Sequence, residues 1–454
     1  MVALLLSGLS GTLLSAAFEP VGKWWVAPIG LAAHMYALSI SNRKVLSSFI
    51  FGLTLNLIVL HWSSTFVGSV PWVILAVGLS LFYLPLALVS KWGITAYPLI
   101  YILLEEVRNR FPFGGFGWVR ITFTQADAPY AKVAAIGGAT ALSAAVVLIA
   151  LVIFQIAHRK FSLVPLMPFL VVLIPINTSV VGSTNVLMIQ GNVPQMGLDF
   201  NSRAKAVFNN HLVLTQTEIA KNPNVDFILW PENSVDVDPF LNSDVKSSLD
   251  SIKQPLIIGA ILNKGNRLLN TSILWSGELP ETYIKQHLTP FGEYIPLRSL
   301  ARVVSPLVDE VEDFSPGDSG KTFQIGTIKV APVICYELID DALLEKAAKN
   351  SNILAVQTNS ATFGMSAESA QQLSITRIRA IEHGRNIASV STTGYSAIID
   401  SSGKVLQKTS MGTADSIRAT VDLIESQTPR DRAGDWALIG VLVALFLVAR
   451  RAYI

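Results

Sequence analysis

Apolar residues are concentrated at two places in this chain, residues 1–182 and residues 436–449. Seven runs, roughly 2–18, 24–40, 45–62, 70–90, 92–107, 132–157 and 161–181, each approach the ~20 residues that a helix needs to cross a bilayer. WALIGVLVALFLVA (436–449) is an eighth, extendable at its N-terminal side. One such run alone would read as a buried helix of a soluble protein. Eight, separated by polar breaks, predict a polytopic α-helical membrane protein with about eight transmembrane helices. Composition agrees: 51% of the 454 residues are hydrophobic and 15% charged, too apolar for a soluble chain of this length. No Lys or Arg precedes the first run and a second follows at once, so it is expected to be retained rather than removed as a signal peptide.

Basic residues set the expected orientation. Asn42-Arg43-Lys44, Lys91, His158-Arg159-Lys160 and Arg450-Arg451 follow spans two, four, six and eight. If the spans alternate, all four groups fall on one side, which the positive-inside rule makes cytoplasmic. Both termini are then cytoplasmic, and the long polar block between spans seven and eight is extracytoplasmic. Arg108, Arg110 and Arg120 run against this trend, which points to a structured loop near the site or contact with lipid phosphates, with an ordinary solvated loop as the alternative. A net charge of +2 gives no bulk case for nucleic-acid binding.

The polar block, 183–430, has the size and pattern of one α/β domain. Short β-rich runs lie at 185–190, 226–229, 255–261, 272–275, 327–334, 353–357, 387–390 and 396–399, several bounded by Gly, Pro or Asn. Helical patterns fall between them, at about 201–221, 243–253, 340–349 and 366–384, the last stopping at His383-Gly384. Strands alternating with helices predict a layered α/β fold. Residues 425–435 read as a linker, giving a helical domain 1–182, a catalytic domain 183–430, and a linker with the last span, 431–454.

The chemistry centres on Cys335, the one cysteine of the chain, in APVICYE (331–337). It has no internal disulfide partner, so its value lies in packing or in reactivity. Before it come LWPENS (229–234), with Glu232, and YIKQHLTPFGEYIP (283–296), with Lys285 and Glu293. A thiol is only a few per cent thiolate at neutral pH and needs help to attack a carbonyl. A carboxylate can take its proton, and an ammonium can stabilise the oxyanion that forms. Glu232, Lys285 and Cys335 each follow a strand-like run, and active-site groups of α/β sheets gather at such C-terminal ends. With six His and one Cys, a metal site is not expected.

The set resembles the nitrilase superfamily, whose members carry a Glu–Lys–Cys triad on an αββα sandwich. Joined to seven N-terminal spans and one C-terminal span, it resembles the bacterial apolipoprotein N-acyltransferase family. The shared pieces are FGWVR (116–120), IQGNVPQ (189–195), LWPENS, NTSIL (270–274), YIKQHLTPFGEYIP, FSPG (314–317), PVICYE (332–337), QTNSATFG (357–364) and RIRAIEHGRN (377–386). The resemblance implies Glu232 as general base, Lys285 as stabiliser of the tetrahedral intermediate and Cys335 as nucleophile. It implies a supporting role for Glu293 and a pocket shaped by Tyr336 and Glu337, with a backbone N–H near Tyr336 as the candidate oxyanion donor. Asn270, Phe116, Trp118 and Phe314 are candidates for substrate or lipid contact, the aromatics also reading as an interfacial belt. One departure is Ser360-Ala361-Thr362-Phe363-Gly364, where the family often has Asp-x-Trp-Phe-Gly.

The implied reaction moves an acyl chain from a membrane phospholipid, through a thioester on Cys335, to the N-terminal amine of an S-diacylglyceryl-cysteine apolipoprotein. No cofactor is implied, and the expected location is the bacterial inner membrane. Two alternatives stand beside this reading. A membrane-anchored amidase would share the triad but needs a single span. A non-catalytic scaffold or transporter would show intramembrane charges in paired positions, whereas Glu19, His34 and Glu105-Glu106 sit at or near span ends.

Overall fold

The computed structural model describes residues 1–160, 162, 164–193, 205–265, 267–277, 279–304, 306–309 and 312–452. It divides into two compact units, Met1–Asn177 with Thr428–Ile454, and Thr178–Gln427. Residues 194–195 of IQGNVPQ and 201–204 of the expected helix 201–221 lie outside the described residues.

The first unit is helical. Two of its helices are long and apolar enough to cross a membrane, Ser69–Trp92 and Val133–Ala157. Val2–Ser15, Val26–Ile40 and Lys44–Val59 are shorter apolar helices. Within Ser69–Trp92 the turns tighten to 3-10 geometry over Leu81–Leu88, around Pro85, which lacks an N–H for the α-helical ladder. Val133–Ala157 kinks at Gly137-Gly138, where Gly138 has φ 75°. The Trp436 indole donates to the Ile136 carbonyl at 3.0 Å, beside the break in the helical ladder. The helix Trp436–Ala452 begins at that residue.

The seventh apolar run is not an α-helix. A 3-10 helix covers Val164–Leu173, and a strand begins at Val180. Pro165, Pro168 and Pro175 explain the departure, because each removes a donor that an α-helix would need.

The three arginines that broke the charge trend have internal partners. Arg108 is fully buried, donating to Tyr83 Oη at 2.8 Å and to the Val119 carbonyl at 2.6 Å. Arg120, also fully buried, pairs with Glu106 Oε1 at 2.7 Å, and Arg110 pairs with the same carboxylate. Thr140 and Ser143 donate to Glu106 and Glu105 at 2.7 Å each. These charges tie the helix Tyr97–Arg108 to its neighbours and to the loop that follows it.

The second unit is a sandwich of two six-stranded sheets. The first sheet contains β1 (Val180–Gln190), β2 (Phe227–Leu229), β3 (Leu256–Lys264), β4 (Arg267–Trp275) and β5 (Glu281–Ile284). The second contains β6 (Phe323–Ile325), β7 (Ile328–Ile334), β8 (Ile353–Thr358), β9 (Ile387–Ser391), β10 (Ala397–Ile399) and β11 (Val405–Lys408). β12 (Asp415–Ile424) returns to the first sheet as an antiparallel neighbour of β1. The strand orders are β12-β1-β2-β3-β4-β5 and β11-β10-β9-β8-β7-β6. All eight expected strands form; β5, β6, β11 and β12 are additional.

The period-two alternation of strands builds the layers. Val186 and Met188 of β1 face the inter-sheet core with Leu229, Ile257, Val330, Ile353, Ala355 and Val390. Leu187 and Ile189 face the other way, onto a cluster that includes Phe208, Val245 and Leu249. Those three come from the helices Ala206–Lys221 and Ser243–Asp250. The second sheet is followed by the amphipathic helices Asp341–Lys349 and Glu368–His383, with Leu344, Ala348, Ile375 and Ile378 buried. The result is the α-β-β-α layering expected of the polar block.

Candidate active site

β7 runs into Cys335, which has φ 49° and opens a 3-10 turn, Cys335–Ile339. A non-glycine residue in the left-handed region is unusual, and such strain gathers at functional positions. Glu337, in that turn, is fully buried and bonded on both oxygens. Its Oε2 accepts the Ile334 N–H at 2.7 Å, and its Oε1 accepts the Tyr283 hydroxyl and the Gln286 N–H, each at 2.7 Å. Glu337 therefore fastens the Cys335 turn to β5 and to the residue after Lys285. It braces the turn that carries Cys335. Tyr336 packs edge-on against His287, ring centroids 5.3 Å apart.

Lys285 follows β5 directly and is fully buried. The FSPG turn closes over its backbone: Gly317 N–H donates to the Lys285 carbonyl at 2.8 Å. A Cβ on Gly317 would lie 2.4 Å from the Ile284 carbonyl oxygen, so only glycine admits this approach. In the same turn the Phe314 N–H donates to the Glu293 carbonyl at 2.7 Å.

Glu232 stands three residues past β2. Its loop lies on Gly259 of β3, where a Cβ would meet the Pro231 carbonyl oxygen at 2.3 Å and Glu232 Cα at 2.6 Å. From the other sheet, Gln357 Nε2 donates to the Trp230 carbonyl at 2.7 Å.

These elements bring the charged groups together. Lys285 Nζ lies 3.2 Å from Glu232 Oε1 and 2.8 Å from Glu293 Oε2. Asn270 Nδ2 donates to both carboxylates, at 2.8 Å to Glu232 and 2.6 Å to Glu293. The Thr289 N–H adds a bond to Glu293 at 2.7 Å. Gln372 Nε2 donates to Cys335 Sγ at 3.6 Å.

The two carboxylates are electrostatically unequal. Burial pushes Glu293 up, but the Lys285 ammonium, Asn270 and the Thr289 N–H reverse this and hold it below the usual range. Burial wins at Glu232, where Lys285 opposes it and Glu293 reinforces it, so Glu232 is the more basic of the pair. Both bonds to Glu232 go to Oε1, which leaves Oε2 without a donor among the described residues. Burial alone would discharge Lys285, yet Glu232 and Glu293 hold its pKa above the ordinary value. The Cys335 thiol is pushed well up by burial and by Glu232, against the pull of Lys285. The resting site is thus a neutral thiol beside a basic carboxylate and a fixed ammonium. That arrangement suits proton transfer coupled to nucleophilic attack.

Of the residues singled out in the sequence, Glu232, Lys285, Glu293 and Asn270 form one hydrogen-bonded cluster, with Cys335 electrostatically coupled to it. Phe116 and Trp118 belong to the helical unit, where Trp118 is buried against Trp62, ring centroids 5.3 Å apart. Exposed apolar side chains in the α/β unit instead flank Glu293, at Phe291, Leu297, Leu300 and Val303. Two residues escaped the sequence reading. Gln372 contacts the sulfur, and Glu368, buried one helical turn before it, interacts electrostatically with Cys335 and Glu232. An acid in a first helical turn is so common that Glu368 carries little signal by itself.

The family model described as Apolipoprotein N-acyltransferase N-terminal domain matches residues 10–152, and the one described as Carbon-nitrogen hydrolase matches residues 189–430. The apolipoprotein N-acyltransferase of Mycolicibacterium smegmatis is 30% identical, over 88% of this chain and 76% of its own length. That of Photobacterium profundum is 27% identical over 99% and 96%, and that of Geobacter metallireducens 28% over 98% and 95%. Among solved structures, Saccharomyces cerevisiae Nit3, a member of branch 10 of the nitrilase superfamily, aligns at TM-score 0.41 and 17% identity, covering 54% of this chain and 91% of that one. The α/β unit is a carbon-nitrogen hydrolase domain, and the chain as a whole belongs to the apolipoprotein N-acyltransferase family.

Proposed function

We propose that Glu232, Lys285 and Cys335 carry out lipoprotein N-acylation through a thioester on Cys335. The observation that supports this most directly is the pairing of one buried ammonium, Lys285, with two carboxylates of unequal basicity beside a neutral thiol. Glu232 takes the Cys335 proton as sulfur attacks the ester carbonyl of a membrane phospholipid. Lys285, with the Tyr336 N–H, faces the oxyanion. Collapse expels the lysophospholipid alkoxide, which takes the proton from Glu232. The amine of an S-diacylglyceryl-cysteine N-terminus then attacks the thioester, giving the amide and restoring the thiol. Glu293, ionised and held by three donors, keeps Lys285 charged and in place throughout.

Both substrates are lipid-anchored, so the enzyme meets them at high local concentration if it lies on the same membrane face. We place the chain in the bacterial inner membrane with eight crossings, both termini cytoplasmic and the α/β unit extracytoplasmic. The exposed apolar side chains at 291, 297, 300 and 303 supply a surface for acyl chains near Glu293.

Intact-mass measurement of purified protein incubated with phospholipid tests the reading. Wild type should gain a hydroxylamine-labile acyl adduct that Cys335→Ser lacks, and an S-diacylglyceryl-cysteine peptide should discharge it onto its amine. Absence of any adduct, with Cys335-dependent hydrolysis of small amides in its place, would replace the acyltransferase by an anchored amidase.

A further inference from the structure

Amide formation from an ammonium removes two protons from nitrogen. One ends on the Cys335 sulfur as the thioester breaks, and Glu232 is the relay for it. The other must leave first, since an ammonium has no lone pair with which to attack. Glu232 and Glu293 already share Lys285, so the second proton needs a different base.

Glu368 occupies the place such a base would need. It opens the helix Glu368–His383 and is 2% exposed. Gln372 is four residues on and therefore on the same helical face, and its Nε2 donates to Cys335 Sγ at 3.6 Å. Glu368 interacts electrostatically with both Cys335 and Glu232. Ser360 lies near enough to oppose the effect of burial on its carboxyl group. Its Oε2 is buried with no hydrogen-bond partner among the described residues. A buried carboxyl oxygen left bare bears its full desolvation cost, and native structures rarely leave one without a purpose.

We propose that Glu368 receives the acceptor: its bare Oε2 binds the α-ammonium of the S-diacylglyceryl-cysteine beside the Cys335 thioester and takes the first of the two protons. This rests on the acyl-transfer reading above. Burial, with Glu232 adding to it and Ser360 opposing, pushes the carboxyl up to about 8. Glu368 is thus mostly uncharged while phospholipid occupies the site. An α-amino group has a pKa of ~7.7–8.0, so the two are matched for proton exchange.

The step balances. The arriving ammonium favours the ionised carboxyl, and the Glu368 proton leaves to solvent. The carboxylate then takes one proton from the ammonium. The freed amine attacks the thioester carbonyl, the C–N bond forms, and the C–S bond breaks. The sulfur receives the second nitrogen proton through Glu232. One proton is released per amide made.

The test separates the two half-reactions on the full-length protein in phospholipid micelles. Wild type, Glu368→Gln and Glu368→Ala are loaded with phospholipid, then discharged either with an S-diacylglyceryl-cysteine peptide or with hydroxylamine, which is uncharged near neutral pH. Loading should stay within about 3-fold of wild type, and hydroxylamine discharge should be equally unaffected. Discharge by the peptide should fall about 100-fold, with a raised half-saturating peptide concentration. Equal slowing with both nucleophiles, loss of loading, or undiminished peptide discharge would each overturn the proposal. If wild type itself fails to load, the acyl-transfer reading falls instead.

Discussion

The Glu337 carboxylate, two residues past the nucleophile, accepts the backbone N–H of Gln286, the residue after Lys285, at 2.7 Å. With its second oxygen on the Ile334 N–H, it spans the two loops whose side chains must meet. Glu337→Gln replaces one acceptor by an NH2 group facing a donor. The change should cost roughly 1–3 kcal/mol, as expected for a buried group left unpaired. It should also slow acyl-enzyme formation more than 10-fold. Thermal unfolding in detergent and adduct formation by mass measure the two effects; an active variant of unchanged stability would refute this bracing role.

The thiol should behave as a weak acid. Burial and Glu232 both raise the Cys335 pKa, so its alkylation by iodoacetamide should climb with pH through 9, without a plateau at neutral pH. Glu232→Gln removes the largest negative charge acting on the thiol and leaves Lys285 opposed by burial, Glu368 and Glu293, so the thiol pKa falls and alkylation at a given pH quickens. Acyl-enzyme formation in the same variant should drop about 100- to 1,000-fold, because the base is gone. Alkylation and acylation that fall together would contradict this separation of charge from proton transfer.

Gly259 tests how closely β3 must approach the Glu232 loop. Alanine there sets a methyl group against the Pro231 carbonyl and Glu232 Cα. Overpacking of this kind costs about 1–3 kcal/mol, and it acts on the backbone that aims the base. Gly259→Ala should therefore lose about 100-fold in acyl-enzyme formation while retaining the fold by circular dichroism. Alanine at Gly320, which has no positive φ and where a Cβ would meet nothing within 4 Å, is the control for glycine replacement in this unit.

Glu232, Lys285 and Cys335 were legible because each follows a run of β-forming residues, and strand ends are where an α/β sheet gathers its chemistry. The supports were not. Gly259 acts through a loop nearly 30 residues away in sequence, and nothing local marks that approach. Nothing in the sequence marked Ile334 and Gln286 as the residues whose backbone N–H groups Glu337 accepts. β12 pairs with β1 across more than 220 residues, so its place follows from sheet topology and not from its own pattern. The seventh apolar run did carry its warning in Pro165, Pro168 and Pro175, but hydropathy alone does not register a missing N–H.

The buried charges of the helical unit should be all-or-none. Glu106 pairs with Arg120, which is fully buried, and also with Arg110. Glu106→Gln should destabilise that unit by roughly 3–5 kcal/mol, the cost of leaving a buried charge uncompensated. Replacing both Glu106 and Arg120 by Gln should recover much of the loss. Detergent melting of the two variants decides it: a single variant as stable as the double would remove the pairing from the account.

The membrane path turns on residues 164–179, which must cross if the chain is outside at the α/β unit and inside at His158-Arg159-Lys160. A 3-10 rise of ~2.0 Å per residue gives Val164–Leu173 about 20 Å. The residues after it can add up to ~3.3 Å each, enough to exceed the ~30 Å hydrocarbon thickness. Non-helical backbone survives at that depth only against protein, and Phe169 does meet Tyr130, ring centroids 5.7 Å apart. Because Cys335 is the sole cysteine, a Cys335→Ser background lets single exposed positions report their side. A membrane-impermeant maleimide should label Asp318→Cys in spheroplasts, and should label Asn42→Cys and Arg159→Cys only after permeabilisation. Labelling of Arg159→Cys from outside would mean that 164–179 lies along the surface, and that the chain makes an odd number of crossings before it.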